Sequence, residues 1–128
     1  MKILSLLLIG NNFKRALILG TCSFTAPSDK GAWKWSASIV LIKIIGGSAY
    51  DEFRGLGEFV TTQDVSKIKW TLFRVPFLGN GEEKLVTATF TGTGKDGIFL
   101  SRKSVGTWVL KELGEESEWV GKAPLLCN

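Results

Sequence analysis

Residues 68–81 read IKWTLFRVPFLGNG, and the fold follows from how this stretch is taken. Its first part, 68–75, is rich in β-branched and aromatic residues and is bounded by a lysine-bearing turn before and a Pro/Gly loop after, the signature of a strand. Polar alternation is weak, so the strand is expected to be covered on both faces. A parallel strand inside an α/β sheet has this pattern, because crossover helices pack on each side. Pro76 removes a ladder donor and ends the strand. Ligands of open α/β sheets bind beyond the carboxyl ends of strands, which directs attention to Pro76, Phe77, Leu78 and the 79–81 turn.

Upstream, 36–62 carries Ile39, Ile42, Ile45, Ala49, Phe53, Leu56 and Val60 at intervals of three or four, one stripe of a long helix that lies against the sheet. Gly46 and Gly47 mark a break in it or a close backbone approach, since a mid-helix glycine costs about 1 kcal/mol relative to alanine. Asp51, Glu52 and Arg54 fall on the solvated face, with an Asp51–Arg54 pair worth a few tenths of a kcal/mol. A loop over 30–36 carries Trp33 and Trp35, either core-covering anchors or exposed rings for a sugar or protein partner. Residues 15–22, RALILGTC, read as a second buried strand ending at Thr21, Cys22 and Ser23. Hydroxyls there face the ligand edge or, for Ser23 and Thr25, merely shape the turn toward Pro27. The first ten residues, MKILSLLLIG, have the lysine and apolar run of a secretory leader. Asn11, Asn12, Lys14 and Arg15 interrupt that run, and a sheet-packed helix over 3–9 turning at 10–12 is the expected reading.

Downstream, 85–90 alternates apolar residues with threonine and is expected to be a short half-exposed strand. Residues 92–97, GTGKDG, match GxGxxG formally. A dinucleotide fingerprint must leave a strand and open directly into a helix; here a short strand over 98–100 follows, so 92–97 is expected to be a turn. Ser101 caps a helix over 102–113, whose apolar face is Val105, Trp108, Val109 and Leu113, with Gly114 as its stop. Glu115, Glu116 and Glu118 form a solvated acidic loop, and 119–127 closes the chain with a short apolar strand.

At 128 residues, 45% hydrophobic and 22% charged, the chain has the size and composition of one globular domain. The net charge of +4 is spread along it, without the basic run or basic-aromatic stripe of a nucleic-acid site. No segment reaches the roughly 18 uncharged apolar residues of a membrane span. The 128 residues contain no histidine, which removes His triads, His general bases and His metal ligation from what this chain itself supplies. Cys22 and Cys127 have neither redox nor zinc spacing. They read as two buried reduced thiols of a cytoplasmic protein or as a terminal disulfide, the latter suiting a small secreted protein.

The order of elements, with Thr21, Cys22 and Ser23 at one strand end, Arg74 and Pro76 at another, and Leu100, Ser101 and Arg102 opening a helix, resembles the C-terminal half of the atypical short-chain dehydrogenase/reductases, the NmrA-like and biliverdin/flavin-reductase-like NAD(P)-binding proteins. The resemblance runs from Lys14 to the end of the chain. It implies an α/β Rossmann-type three-layer parallel sheet, incomplete because the strand–helix unit with the glycine-rich phosphate loop has no counterpart here. It implies NADP or NAD as coenzyme, with Thr21 and Ser23 beside the nicotinamide, and with Arg74, Pro76, Phe77 and Leu78 closing the coenzyme site from the other side. Ser23 takes the catalytic position, orienting the ring. Arg74 contacts a phosphate or substrate carboxylate, or pairs with an internal acid. The Tyr-x-x-x-Lys pair of the wider superfamily is absent, since Tyr50 has Arg54 four residues on; Tyr50 is expected to be a packed core residue. The function so implied is that of a partial NAD(P)H-dependent reductase, or alternatively a non-catalytic interaction or redox-sensing module. Half a doubly wound sheet leaves strand edges and apolar area uncovered, which calls for a homodimer, a partner chain, or a truncated product of marginal stability.

Overall fold

The structure, a computed structural model, describes residues 14–31 and 33–128, with the backbone alone for 41–46. The helix expected over 3–9 lies outside the described residues, as do the side chains of Ile42 and Ile45.

The organising strand is β2, Lys69–Val75, and six of its seven residues are buried, as covering on both faces requires. It pairs in parallel with β1, Arg15–Thr21, in register from Arg15 opposite Lys69 to Thr21 opposite Val75. On its other side it runs parallel to β6, Leu125–Cys127, which pairs antiparallel with β4, Thr87–Thr89, giving the order β1-β2-β6-β4. The expected parallel sheet thus forms from β1, β2 and β6, with β4 added antiparallel at one end. Pro76 ends β2, and the chain then enters a separate two-stranded parallel sheet, β3 (Phe77–Gly79) with β5 (Phe99–Ser101).

Side-chain alternation along the strands builds a three-layer core. Ile18, Trp70 and Leu72 face one helix layer with Val60, Phe59 and Leu56. Leu17, Phe73 and Val75 face the other with Trp108, Val105 and Val109. The first layer is two helices rather than one, α1 (Trp33–Gly46) and α2 (Ser48–Thr61), because Gly47 takes a φ of 50° that breaks the helix. The helical pattern starts earlier than expected, at Trp33, and separates the two tryptophans: Trp35 is 5% exposed and Trp33 84%. Arg54 pairs with Glu58 one turn on, Nε to Oε1 at 3.1 Å, and not with Asp51. Tyr50 is half-buried on α2 rather than in the core.

The second layer is α3, Arg102–Lys111, capped at Ser101, whose hydroxyl accepts the Ser104 N–H. It stops short of Gly114, so Leu113 falls outside it and is exposed. Residues 92–97 form the expected loop between β4 and β5, with Gly92 and Gly94 at positive φ. Strand β1 is half-buried where a buried strand was expected, and Leu19 is 39% exposed. The cause is position: β1 ends the sheet order, so among the described residues no strand pairs along its outer edge. Cys22 and Cys127 are both buried and free, which decides against the disulfide.

Candidate functional site

Strands β1 and β2 end side by side at Thr21 and Val75, and a cavity of about 390 Å³ opens beyond them. Thr21, Cys22 and Ser23 form one wall, and Val75, Pro76, Phe77 and Leu78 the opposite wall. The helix layer supplies Trp35, Ser38 and Ile39 from α1 and Ala49 and Phe53 from α2. Five of the six site residues expected from sequence thus converge: Thr21, Ser23, Pro76, Phe77 and Leu78. No charged side chain lines the cavity among the described residues. It is a slot for an uncharged, flat or apolar group with a few hydroxyls at one end, the usual composition of a small-molecule site.

The hydroxyls are ordered. The Thr21 hydroxyl donates to Ser23 Oγ at 2.9 Å and accepts the Ser23 N–H at 3.2 Å, a tight turn that follows directly from where β1 stops. Ser23 is only 5% exposed. Between them Cys22 is buried, and that burial, reinforced by Asp29 and Asp96 and opposed by Arg74, pushes its thiol pKa up to about 12. The cavity therefore offers a hydrogen-bonding hydroxyl pair and a protonated thiol, with no thiolate nucleophile.

Arg74, the sixth expected residue, is 0% exposed and does not line the cavity. Of the two roles left open for it, the structure shows pairing with an internal acid. Its guanidinium grips Asp29 in fork geometry, Nη1 to Oδ2 at 2.6 Å and Nη2 to Oδ1 at 2.9 Å, while Nε donates to the Ala123 carbonyl at 2.8 Å and Nη1 also to that of Phe24. Burial disfavours the Asp29 charge, but Arg74 and the N–H groups of Thr91 and Ala26 outweigh it and hold its pKa below the ordinary carboxylate value. The pair ties the loop after β1 to β2 and to the segment entering β6, and so sets the cavity wall from behind.

A second buried carboxylate, Asp96, does the same for the helix wall. It accepts the N–H groups of Gly92 at 2.8 Å and Gly94 at 3.1 Å and the indole N–H of Trp35, with Lys34 Nζ at 3.4 Å. Burial opposes its ionisation, yet these donors bring its pKa down to about 2. The first two glycines of the GxGxxG match, Gly92 and Gly94, thus serve to wrap Asp96, which holds Trp35 in the wall. Sequence reasoning placed Ile39, Ala49 and Phe53 only on a packing stripe and missed Leu19, Trp35, Ser38 and Val75 as cavity residues. The available signal was the stripe running past two strand ends that both carry turn residues.

No family model matches the sequence, and no curated protein matches it. Among solved structures, the chain is similar to an ethylated short-chain dehydrogenase/reductase from Veillonella parvula DSM 2008, with a TM-score of 0.72 and 13% identity over 97% of this chain and 55% of that one. It is also similar to a wide-type short-chain dehydrogenase/reductase from the same organism in complex with NADP, with a TM-score of 0.64, 13% identity and the same coverage. The chain spans about half the length of the solved structures it matches. At this identity the likeness establishes the fold: an α/β Rossmann-type arrangement with a partial sheet.

Proposed function

We propose that this chain is the substrate-side portion of an NAD(P)-binding, oxidoreductase-like protein of the atypical short-chain dehydrogenase/reductase kind, NmrA-like in character, working in the cytoplasm. The observation that carries the reading is the cavity beyond β1 and β2, where Thr21, Ser23, Pro76, Phe77 and Leu78 meet. That place in a Rossmann-type sheet is where nicotinamide coenzymes lie, and one structural neighbour is a complex with NADP. The fit differs along the coenzyme. An uncharged ring suits apolar walls with hydroxyls at one end, and Ser23 is placed to orient it, with Pro76 to Leu78 closing over the other face. The pyrophosphate finds no glycine-rich strand-to-helix turn in 14–128, so its donors come from another element or another polypeptide. When bound, the nicotinamide supplies hydride chemistry, and the chain's part is to position the ring and exclude water. Two free buried thiols suit a reducing compartment.

A non-catalytic interaction or redox-sensing module is the second reading, favoured by the absence of any cation among the described cavity-lining residues. In either case the outer edge of β1 suits a further strand from a second copy or a partner chain. Titration of the 128-residue protein with NADPH and with NADH, following reduced-coenzyme fluorescence and melting temperature together, tests the proposal. Saturable binding is expected, with stabilisation of about 2.7 kcal/mol at a hundredfold excess over Kd. Binding without turnover of carbonyl substrates identifies the sensing module, and no binding at millimolar coenzyme refutes the coenzyme reading for this chain.

A further inference from the structure

A second cleft, of about 420 Å³, lies on the α3 side of the molecule and shares no lining residue with the cavity beyond β1 and β2. One wall is a single face of α3, where Ser104, Thr107, Trp108 and Lys111 follow at helical spacing. The other is the segment entering β4, from Glu83 to Val86. Ser104 joins the two walls. Fully buried, its hydroxyl oxygen accepts the Lys84 N–H at 3.0 Å and an Asn128 side-chain N–H at 2.8 Å, and it lies 3.1 Å from the Lys84 carbonyl. The segment is thereby fixed against the helix, and the cleft is shaped before anything enters it.

Its donors lack partners. Trp108 is 7% exposed and packs on Phe73 with ring centroids 5.9 Å apart. Its indole N–H, unlike those of Trp35 and Trp70, donates to no group among the described residues. No side-chain nitrogen or oxygen sealed from solvent among these residues is without a partner, so this N–H is open, and the cleft is the opening that Trp108 lines. Lys84 and Lys111 form no ion pair with a described residue. With Glu83 the only acid in the lining, the cleft carries one net positive charge. Leu85, in the same wall, is 91% exposed, while Val86 packs into the core beside Trp108.

We infer that this cleft binds a small monocarboxylic acid with an apolar body. The carboxylate accepts from the Trp108 indole N–H and is held by the Lys84 and Lys111 ammonium groups, while the aryl or alkyl part covers Leu85 and Val86. A wholly apolar ligand would bury the indole N–H without an acceptor, whereas a carboxylate oxygen gives it a charge-assisted bond. A cation meets two lysines, and a multiply charged phosphate leaves Leu85 in water. The assignment is independent of the coenzyme reading, because the two sites share no residue.

Cinnamate and cinnamamide form the probe pair, since they share shape and differ in charge. The protein labelled with ¹⁵N-tryptophan has five indole N–H signals, and Trp108→Phe and Trp35→Phe identify the two that matter. Cinnamate is expected to shift the Trp108 signal saturably and to bind about fivefold more tightly than cinnamamide. Trp108→Phe, which keeps a ring against Phe73, weakens cinnamate about tenfold. The exposed pair Lys84→Gln with Lys111→Gln, which leaves the core untouched, weakens it about fivefold and leaves cinnamamide unchanged. A Trp108 signal that does not move at millimolar cinnamate overturns the inference, as does a saturable shift of Trp35 in its place. Equal cinnamate affinity in the wild type and the double lysine variant overturns it too, whether or not Trp108→Phe folds.

Discussion

Replacing Arg74 by Met tests how the cavity is held from behind. The side chain is fully buried, and its partner Asp29 is nearly so. Methionine fills a comparable volume but deletes the cation and all four of its hydrogen bonds. Asp29 is then left as a buried carboxylate with only the N–H groups of Ala26 and Thr91, and the carbonyls of Ala123 and Phe24 lose a donor. Breaking a buried pair in this way costs about 3–5 kcal/mol, a large fraction of the roughly 5–15 kcal/mol that stabilises a domain. In a domain of this size that corresponds to a fall in melting temperature of roughly 10–20 °C. Arg74→Met with Asp29→Asn is expected to recover part of the loss, because no uncompensated charge remains. The pH dependence has a definite sign. In the wild type Asp29 sits below its ordinary value of 3.8, so its contribution is present above that pH and is lost as pH falls through the folded value. In Arg74→Met, burial acts unopposed by the guanidinium, the carboxyl protonates more readily, and the stability gap to wild type narrows in acid. Urea unfolding followed by tryptophan fluorescence at neutral and acid pH reads both effects. A single variant melting within about 2 °C of wild type, or a double variant no more stable than the single, refutes the reasoning.

Asp96→Asn removes a carboxylate whose pKa is held at about 2 against an ordinary 3.8. The wild type is expected to lose roughly 2 kcal/mol of stability as pH falls through that interval, and the variant, lacking that stability at neutral pH, to show no such acid loss; parallel unfolding curves for the two proteins from pH 7 down to pH 2 count against the assignment. Two glycines of α2 provide a matched comparison. A Cβ on Gly57 falls 2.4 Å from the Phe24 side chain, while one on Gly55 meets nothing within 4 Å. Gly57→Ala is therefore expected to destabilise by about 1–3 kcal/mol and Gly55→Ala to stabilise by about 0.5–1 kcal/mol; thermal melts giving both the same sign exclude the close approach of α2 to Phe24.

Local chemistry was legible in the residues themselves. The β-branched and aromatic run over 68–75, the stop at Pro76, the serine cap of α3 and the hydroxyl-bearing end of β1 each depend on neighbours a few positions away, and each is where the pattern places it. The same short range misjudged extents. The stripe over 36–62 continues across Gly47 because periodicity reads side chains, whereas the break is made by a backbone φ of 50°. Leu113 continues the apolar spacing of α3 but lies beyond a helix that ends with Lys111.

The sequence by itself determined the α/β class, the parallel pairing of two strands and five of the cavity's residues, because strand, helix and turn preferences are local and Pro, Gly and Ser act within one turn of where they stand. Only the tertiary structure decided that Arg74 faces Asp29 across 45 residues, that Gly92 and Gly94 wrap Asp96 and so fix Trp35, and that β4 runs antiparallel while β3 leaves for a second sheet. Those outcomes depend on which donors and acceptors meet once water has been expelled. A buried charge takes the partner that the closed chain brings to it, and no spacing along the chain encodes that partner.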